Sequence, residues 1–408
     1  MSETHKKRIS DYEPIVGEDA IREINDLASS LSGKSCKHIN STKEGGGVAE
    51  ILHNLVPLFR DAGIRAEWDV ITGNDAFFKV TKNFHNALQG GEIELTEEVK
   101  RIHQAVNEEN AKHISTEGFD FIVNHDPQPA PLVNFLKQKG QPWFWRCHID
   151  ASKPNPILWK YLSENFVNKH DAMIVSMESY KQKNVNIPQY VIQPSIDPLS
   201  EKNGELSEQA MEKKLAEYEI DPDVPIITQV SRFDKWKDPK GVLDAFMIAK
   251  RSHPDCQLIL VGNMASDDPE GQMIYDSIAG ECGGPDVKLI TRTDNVLVNA
   301  LQRKSRVILQ KSLREGFGLT VSEALWKGTP VIGGNVGGIP LQVIDGVNGY
   351  LVNNVDETAD RIGRLLENPE LARKMGAAGR EHVRKNFLIT RNLRDYLRMF
   401  LRHSQKSG

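Results

Sequence analysis

Residues 312–334 read Ser312-Leu-Arg-Glu315-Gly-Phe-Gly-Leu-Thr-Val-Ser-Glu323-Ala-Leu-Trp-Lys-Gly-Thr-Pro330-Val-Ile-Gly-Gly334. Between the carboxylates Glu315 and Glu323 lies a Gly316-Phe317-Gly318 turn that opens an apolar helical stretch. Thr329-Pro330 follows the helix and leads into a short strand at Val331-Ile332. A helix that begins at this turn points its unpaired backbone N–H groups, and the positive end of its dipole, at whatever lies in front of it. Glu315 stands just ahead of that end, and Glu323 about two turns behind it. Such a pair suits the two ends of one extended ligand whose phosphates meet the amides in between. A nucleotide-sugar has that shape: hexose, diphosphate, ribose. The plain alternative is an amphipathic helix with solvated glutamates. The Gly-Phe-Gly inside the spacing and the Gly-Thr-Pro after it weigh against that alternative.

The block belongs to a run of short apolar segments that end in polar turns. Residues 225–230, 257–261, 288–290, 306–309 and 331–332 read as strands, with a helix over 240–251. The first half holds a matching run, with strands over 67–71, 119–124, 143–149, 171–176 and 189–193 and helical apolar spacing over 48–62. Short strands alternating with helices predict parallel α/β sheets. Between the runs, residues 200–223 are polar and charged and close on Asp221-Pro222-Asp223. Asp-x-Asp occurs in metal-dependent sugar transferases, but its place directly before a strand favours a turn. The spacing therefore predicts two domains, 1–210 and 211–387, both Rossmann-like and doubly wound, facing each other across a ligand cleft at their strand C-termini. The tail, 388–408, reads as an amphipathic helix packing back on the first domain through Leu393, Tyr396, Leu397 and Phe400.

Two cations follow the first strand of the second run, in Ser231-Arg232-Phe233-Asp234-Lys235-Trp236-Lys237. Arg232 and Lys237 suit a diphosphate: the guanidinium fork bridges phosphate oxygens and the ammonium acts as a point charge. Both would stabilise charge on a departing diphosphate. In the first run, Gly45-Gly46-Gly47 precedes the 48–62 helix. Such a loop lets amides approach phosphate or sugar oxygens closely. It is no Walker motif, because Gly-Lys-Ser/Thr is missing, and Glu50 stands where Gly-x-Gly-x-x-Gly needs its last glycine. A flexible turn is the other reading. His125-Asp126 and Arg146-Cys147-His148-Ile149-Asp150 each end a strand, where imidazoles and carboxylates suit hydrogen bonds to sugar hydroxyls. No tight ligand spacing among His125, Asp126, His148 and Asp150 supports a metal site.

Composition narrows the class. With 408 residues the chain suits two domains. A net charge of −5 argues against a protein built to bind nucleic acid electrostatically. Cys36, Cys147, Cys256 and Cys282 form no Cys-x-x-Cys pair, which fits a reducing compartment without structural zinc. No apolar run approaches the ~18 residues of a membrane span, and the N-terminal residues lead into no signal-peptide core. A cytoplasmic protein is expected.

Taken together, these segments resemble the retaining GT-B glycosyltransferases of family 4, across both halves of the chain. The run His125-Asp126-Pro127-Gln128-Pro129-Ala130, the run Trp145-Arg146-Cys147-His148-Ile149-Asp150 and the 315–330 block are similar to the trehalose glycosyltransferring synthase branch of that family. The resemblance implies glucosyl transfer from a nucleoside diphosphate glucose, ADP- or UDP-glucose, to free glucose, giving α,α-trehalose. It implies Glu323 on the ribose, Glu315 on the donor hexose, and Arg232 and Lys237 on the diphosphate. Gly316, Phe317 and the amides of Gly318, Leu319 and Thr320 belong to the donor site. Gly262-Asn263 and Thr291-Arg292 form the base pocket. His148 lies near the donor hexose, while Asp126, Gly46, Gly47 and Arg146 serve the acceptor. His148, Arg232, Lys237 and Glu315 form the catalytic set. No obligatory cofactor or metal is implied, and Mg2+ enters only as a counterion to the phosphates. A homodimer is allowed. Fungal-type trehalose phosphorylases share the pattern on much longer chains, so the compact length favours the synthase. A nucleotide-sugar epimerase of the same fold is the rival that needs no acceptor.

Overall fold

A computed structural model describes residues 7–262, 269–281, 284, 286–292 and 294–405. The chain forms two compact units, Met1–Ser195 together with Ile389–Gly408, and Ile196–Leu388. The change of unit thus falls at Ser195/Ile196 rather than at 210/211. The segment after Ile196 is tied to the second unit by polar contacts: the Asn299 side chain donates to the carbonyls of Glu201 (3.0 Å) and Gly204 (2.8 Å).

The first unit is built on β1 (Ser35–Asn40), β2 (Arg65–Val70), β3 (Phe121–His125), β4 (Trp143–Arg146), β5 (Ala172–Val175) and β6 (Gln189–Val191). All pairings are parallel and the order is β2-β1-β3-β4-β5-β6. Strands covered on both faces need near-continuous burial, and β1, β3, β4 and β5 are buried along their whole length. In β1 that burial includes polar side chains, each given a partner. Lys37 Nζ lies 2.7 Å from Asp69 and 3.3 Å from Glu67, and the Asn40 carbonyl oxygen Oδ1 accepts from Trp68 Nε1 at 2.7 Å. The C-terminal helix Ile389–Ser404 lies in this unit, with Leu393, Tyr396, Leu397 and Phe400 all buried. Phe400 stacks on Phe121 with ring centres 4.5 Å apart.

The second unit is built on β7 (Ile226–Val230), β8 (Gln257–Val261), β9 (Val287–Ile290), β10 (Ser305–Gln310), β11 (Val331–Gly334) and β12 (Gly349–Val352). Its sheet is also parallel, in the order β12-β11-β10-β7-β8-β9. Read from β9, this is the dinucleotide-binding order, which reverses between β7 and β10. The first sheet reverses between β1 and β3 in the same way. Ligands of open α/β sheets bind beyond the strand C-termini at these reversals, so the loops after β1, β3, β7 and β10 are where chemistry is expected. The Asp221-Pro222-Asp223 segment is a turn before β7, with the Asp221 carboxylate accepting from the Asp223 N–H at 2.9 Å. Among the described residues no helix is long and apolar enough to cross a membrane. Cys36, Cys147 and Cys256 are buried free thiols, and Cys282 lies outside the described residues.

Candidate active site

The loops after β7 and β10 meet. The Leu313 N–H donates to the Trp236 carbonyl at 2.8 Å, and the Arg314 guanidinium lies 4.7 Å over the Trp236 ring. After β7, Asp234 caps a short 3-10 turn, Lys235–Lys237, accepting from the N–H groups of Trp236 (3.0 Å) and Lys237 (3.2 Å). That turn aims Lys237 at the second loop, where its ammonium lies 2.5 Å from Glu315 Oε2. Gln310 and Ser312 each donate to the same oxygen at 3.3 Å, so the carboxylate is held in one orientation. Arg232 is on the same loop, 3.0 Å from Asp234, with its side chain 60% exposed.

Three residues beyond Glu315, Gly318 adopts φ 84°, a left-handed conformation that side chains disfavour. A Cβ there would also press to 3.2 Å of Glu315 Cγ. Gly318 starts the helix Leu319–Trp326, whose first turn has no side-chain cap. Its amides and dipole are left for an anion. Gly316, Leu319 and Thr320 are partly exposed at this end, whereas Phe317 is buried and packs edge-on against Phe387, ring centres 5.5 Å apart.

Glu323 lies elsewhere. It is fully buried on the second turn of the helix, with Oε1 2.7 Å from Lys202 Nζ and Oε2 accepting from Gln302 at 3.4 Å. Lys327 donates to Gln302 (2.6 Å) and Asn203 (2.7 Å) beside it. Burial pushes the Glu323 carboxyl up, but the Lys202 and Lys327 ammoniums outweigh burial and hold it below the usual carboxylate range.

Gly262 ends β8, and a Cβ there would fall 2.2 Å from the Ser231 carbonyl, so glycine is what lets the loops after β7 and β8 close on each other. Asn263 lies outside the described residues. Arg292 is exposed at a cavity of about 760 Å³ lined also by Lys214, Tyr218, Lys288 and Asp294. None of Arg232, Lys237, Glu315 or Glu323 lines this cavity.

In the first unit, Gly46 and Gly47 are exposed at the start of the helix Gly46–Asp61, in the loop after β1. Asp126 follows β3 with φ 65°. Its Oδ1 accepts from the His148 N–H at 2.7 Å, and burial pushes its carboxyl up to about 7 against that hydrogen bond and the Arg146 charge. Arg146 is buried, with Nη2 3.5 Å from Ser176 Oγ and Nε and Nη1 unpartnered. His148 Nε2 lies 2.9 Å from His125 Nδ1. The strand ends thus bring Asp126, Arg146 and His148 together.

Among the described residues no group of three His, Cys, Asp or Glu is placed to hold a metal ion. Sequence reasoning missed Gln310 and Ser312, which fix Glu315, and Lys202 and Lys327, which neutralise Glu323. Gln310 and Ser312 carry a usable signal, since both stand at a strand end just ahead of the motif. Lys202 carries none, because it sits in a polar connection without periodicity.

Residues 38–182 match the family described as trehalose synthase, N-terminal domain, and residues 210–382 match glycosyl transferases group 1. The trehalose synthase of Thermococcus litoralis is 51% identical over 397 residues, covering 96% of each chain. The trehalose phosphorylase of Pleurotus pulmonarius is 30% identical over 432 residues, 92% of this chain but 58% of that one. Among solved structures, the sucrose-phosphate synthase of Thermosynechococcus elongatus superposes with a TM-score of 0.69 at 20% identity, covering 91% of this chain and 99% of that one. That likeness fixes the GT-B fold. The near-full-length identity fixes the rest: this chain belongs to the trehalose synthase family of GT-B glycosyltransferases.

Proposed function

We propose that the chain is a retaining glucosyltransferase that makes α,α-trehalose from a nucleoside diphosphate glucose, ADP- or UDP-glucose, and free glucose. The observation that carries the reading is the Lys237–Glu315 pair, held at 2.5 Å at the sheet reversal ahead of an uncapped helix. A cation and a carboxylate so placed match a diphosphate and the hexose attached to it. Arg232 and Lys237 hold the diphosphate, Glu315 the donor hydroxyls, and Gly262 and Arg292 the base, while Glu323 meets the ribose by exchanging its buried Lys202 contact for the two hydroxyls. In the reaction the bond from C1 of the donor glucose to the β-phosphate oxygen breaks. A new bond forms from C1 to the anomeric oxygen of glucose on the same face, and the acceptor proton leaves with the nucleoside diphosphate. Charge on the leaving group grows as that bond breaks, which is when two fixed cations stabilise it most. The reading includes no resident metal, and Mg2+ acts at most as a phosphate counterion.

The acceptor groups proposed are Gly46, Gly47, Asp126 and Arg146, with His148 near the donor hexose. A sugar phosphate would need several mobile cations, but the Arg146 guanidinium is buried within the unit. Burying a dianion with too few partners is costly, whereas a neutral sugar needs only paired hydrogen bonds. In competition, free glucose should exceed glucose 6-phosphate in kcat/KM by at least ~10-fold. A dominant trehalose 6-phosphate product would overturn the acceptor assignment.

A further inference from the structure

Three histidines from adjacent strands form a chain through the first unit. His38 on β1 places Nδ1 2.9 Å from His125 Nε2 at the end of β3. His125 Nδ1 lies 2.9 Å from Nε2 of His148, just after β4. The rings of His125 and His148 lie within 14° of parallel with centres 5.2 Å apart, as an in-plane N–H···N hydrogen bond requires. All three are held neutral. Burial lowers His38 to about 3, and burial with neighbouring charges keeps His125 and His148 well below the ordinary imidazole range.

A neutral imidazole has one N–H and one bare nitrogen, and each contact in the chain is at hydrogen-bond distance. If His125 donates through Nδ1, its Nε2 must accept from His38. If it donates through Nε2, its Nδ1 must accept from His148. Only two arrangements satisfy both bonds, and in each the three rings share one tautomer. The far end chooses between them. His38 Nε2 is buried without a hydrogen-bond partner, and an orphaned buried N–H is rarer than an orphaned acceptor.

We propose that His38, His125 and His148 form one relay with every proton on Nδ1, so that buried His38 and His125 are positioning residues that fix His148 as a hydrogen-bond donor. The inference rests on the placement of His148 near the donor hexose. It gives His148 a definite role there. Nε2 is occupied by His125 and Nδ1 already carries its proton, so the ring donates to a ligand oxygen and does not act as the base toward the acceptor hydroxyl.

The test is long-range 1H–15N correlation on the full chain labelled at histidine, without substrate, near pH 7.5. The expected result is the Nδ1–H form at all three rings. His38→Phe, which keeps the ring but removes the donor, should release His148 to the other form or a mixture. It should also lower kcat about tenfold, the loss of roughly one hydrogen bond, with little change in donor KM. His38→Asn, whose amide can donate in place of Nδ1, should restore both. An Nε2–H form at His148 in the native chain, rings of mixed tautomer, or a His38→Phe spectrum unchanged at His148 would each overturn the relay. If His38→Phe does not fold, the native and His38→Asn spectra still decide. The tautomers are read without turnover, so they stand or fall apart from the identity of the product.

Discussion

Replacing Glu323 with glutamine should damage the second unit's stability before it reports on any ligand. The carboxylate is fully buried and faces two ammoniums, Lys202 at 2.7 Å and Lys327 through Gln302. Glutamine keeps the size and removes the negative charge that both cations face. Breaking one side of a buried pair costs about 3–5 kcal/mol. Lys202 keeps one-fifth of its side chain in solvent, which screens the loss and places it near the lower end, about 3 kcal/mol. For a unit of this size that is a fall in Tm of about 6–12 °C. Differential scanning calorimetry of Glu323→Gln and of the pair Glu323→Gln/Lys202→Met measures it, the double variant recovering part of the loss because the nearer of the two ammoniums is then gone. A fall under about 2 °C, or losses that simply add, would mean that Glu323 and Lys202 are not coupled in the fold. Nucleotide titration well below the transition then isolates the ribose role, in which each charged hydrogen bond is worth ~1.5–3 kcal/mol.

Lys237→Ala should lower kcat by about 10²–10³, the size of a lost transition-state charge contact, and Arg232→Ala, on an exposed side chain, should do so without shifting Tm. Near-normal turnover at saturating donor would remove either residue from the diphosphate. Asp126 holds its proton up to about 7 in the fold, above the unfolded value, so its contribution is present below ~4 and is lost as pH rises toward 7. Asp126→Asn, which tolerates the same left-handed backbone, should flatten that slope in urea midpoints, and parallel pH profiles would contradict the assignment. His38, His103 and His170 titrate in the opposite sense, lowered to about 3, 4 and 4. Their contribution is present above ~6.5 and lost as pH falls toward those values, at about 1.4 kcal/mol per pH unit per proton. A first unit equally stable at pH 7 and pH 4.5 would contradict that burial.

Much of this was legible in the sequence because parallel strands buried on both faces spell themselves as short apolar runs. Residues 257–261 match β8 end for end. β1 was not legible. Ser-Cys-Lys-His-Ile-Asn reads as polar, and its burial is possible only because Asp69, Glu67, Trp68 and His125 meet its side chains from other strands. The histidine chain was hidden for the same reason, since its members lie far apart in sequence and meet only through strand order. The motif at 315–323 located the helix and its N-terminal turn, but spacing alone could not tell that Glu315 faces Lys237 while Glu323 turns inward to Lys202. Residues 200–223 read only as a polar stretch between the two runs, because their ties to the second unit are made by a side chain distant in sequence, Asn299.

Product analysis with labelled acceptor decides whether the chain joins donor glucose to free glucose. The chain is incubated with unlabelled ADP- or UDP-glucose and [1-13C]glucose, and the anomeric carbons are followed by NMR beside the nucleotide released. The expected product is α,α-trehalose labelled in one ring only, with one nucleoside diphosphate formed per disaccharide. Trehalose formed only from glucose 1-phosphate with release of phosphate, or an epimerised donor with no disaccharide, would contradict it.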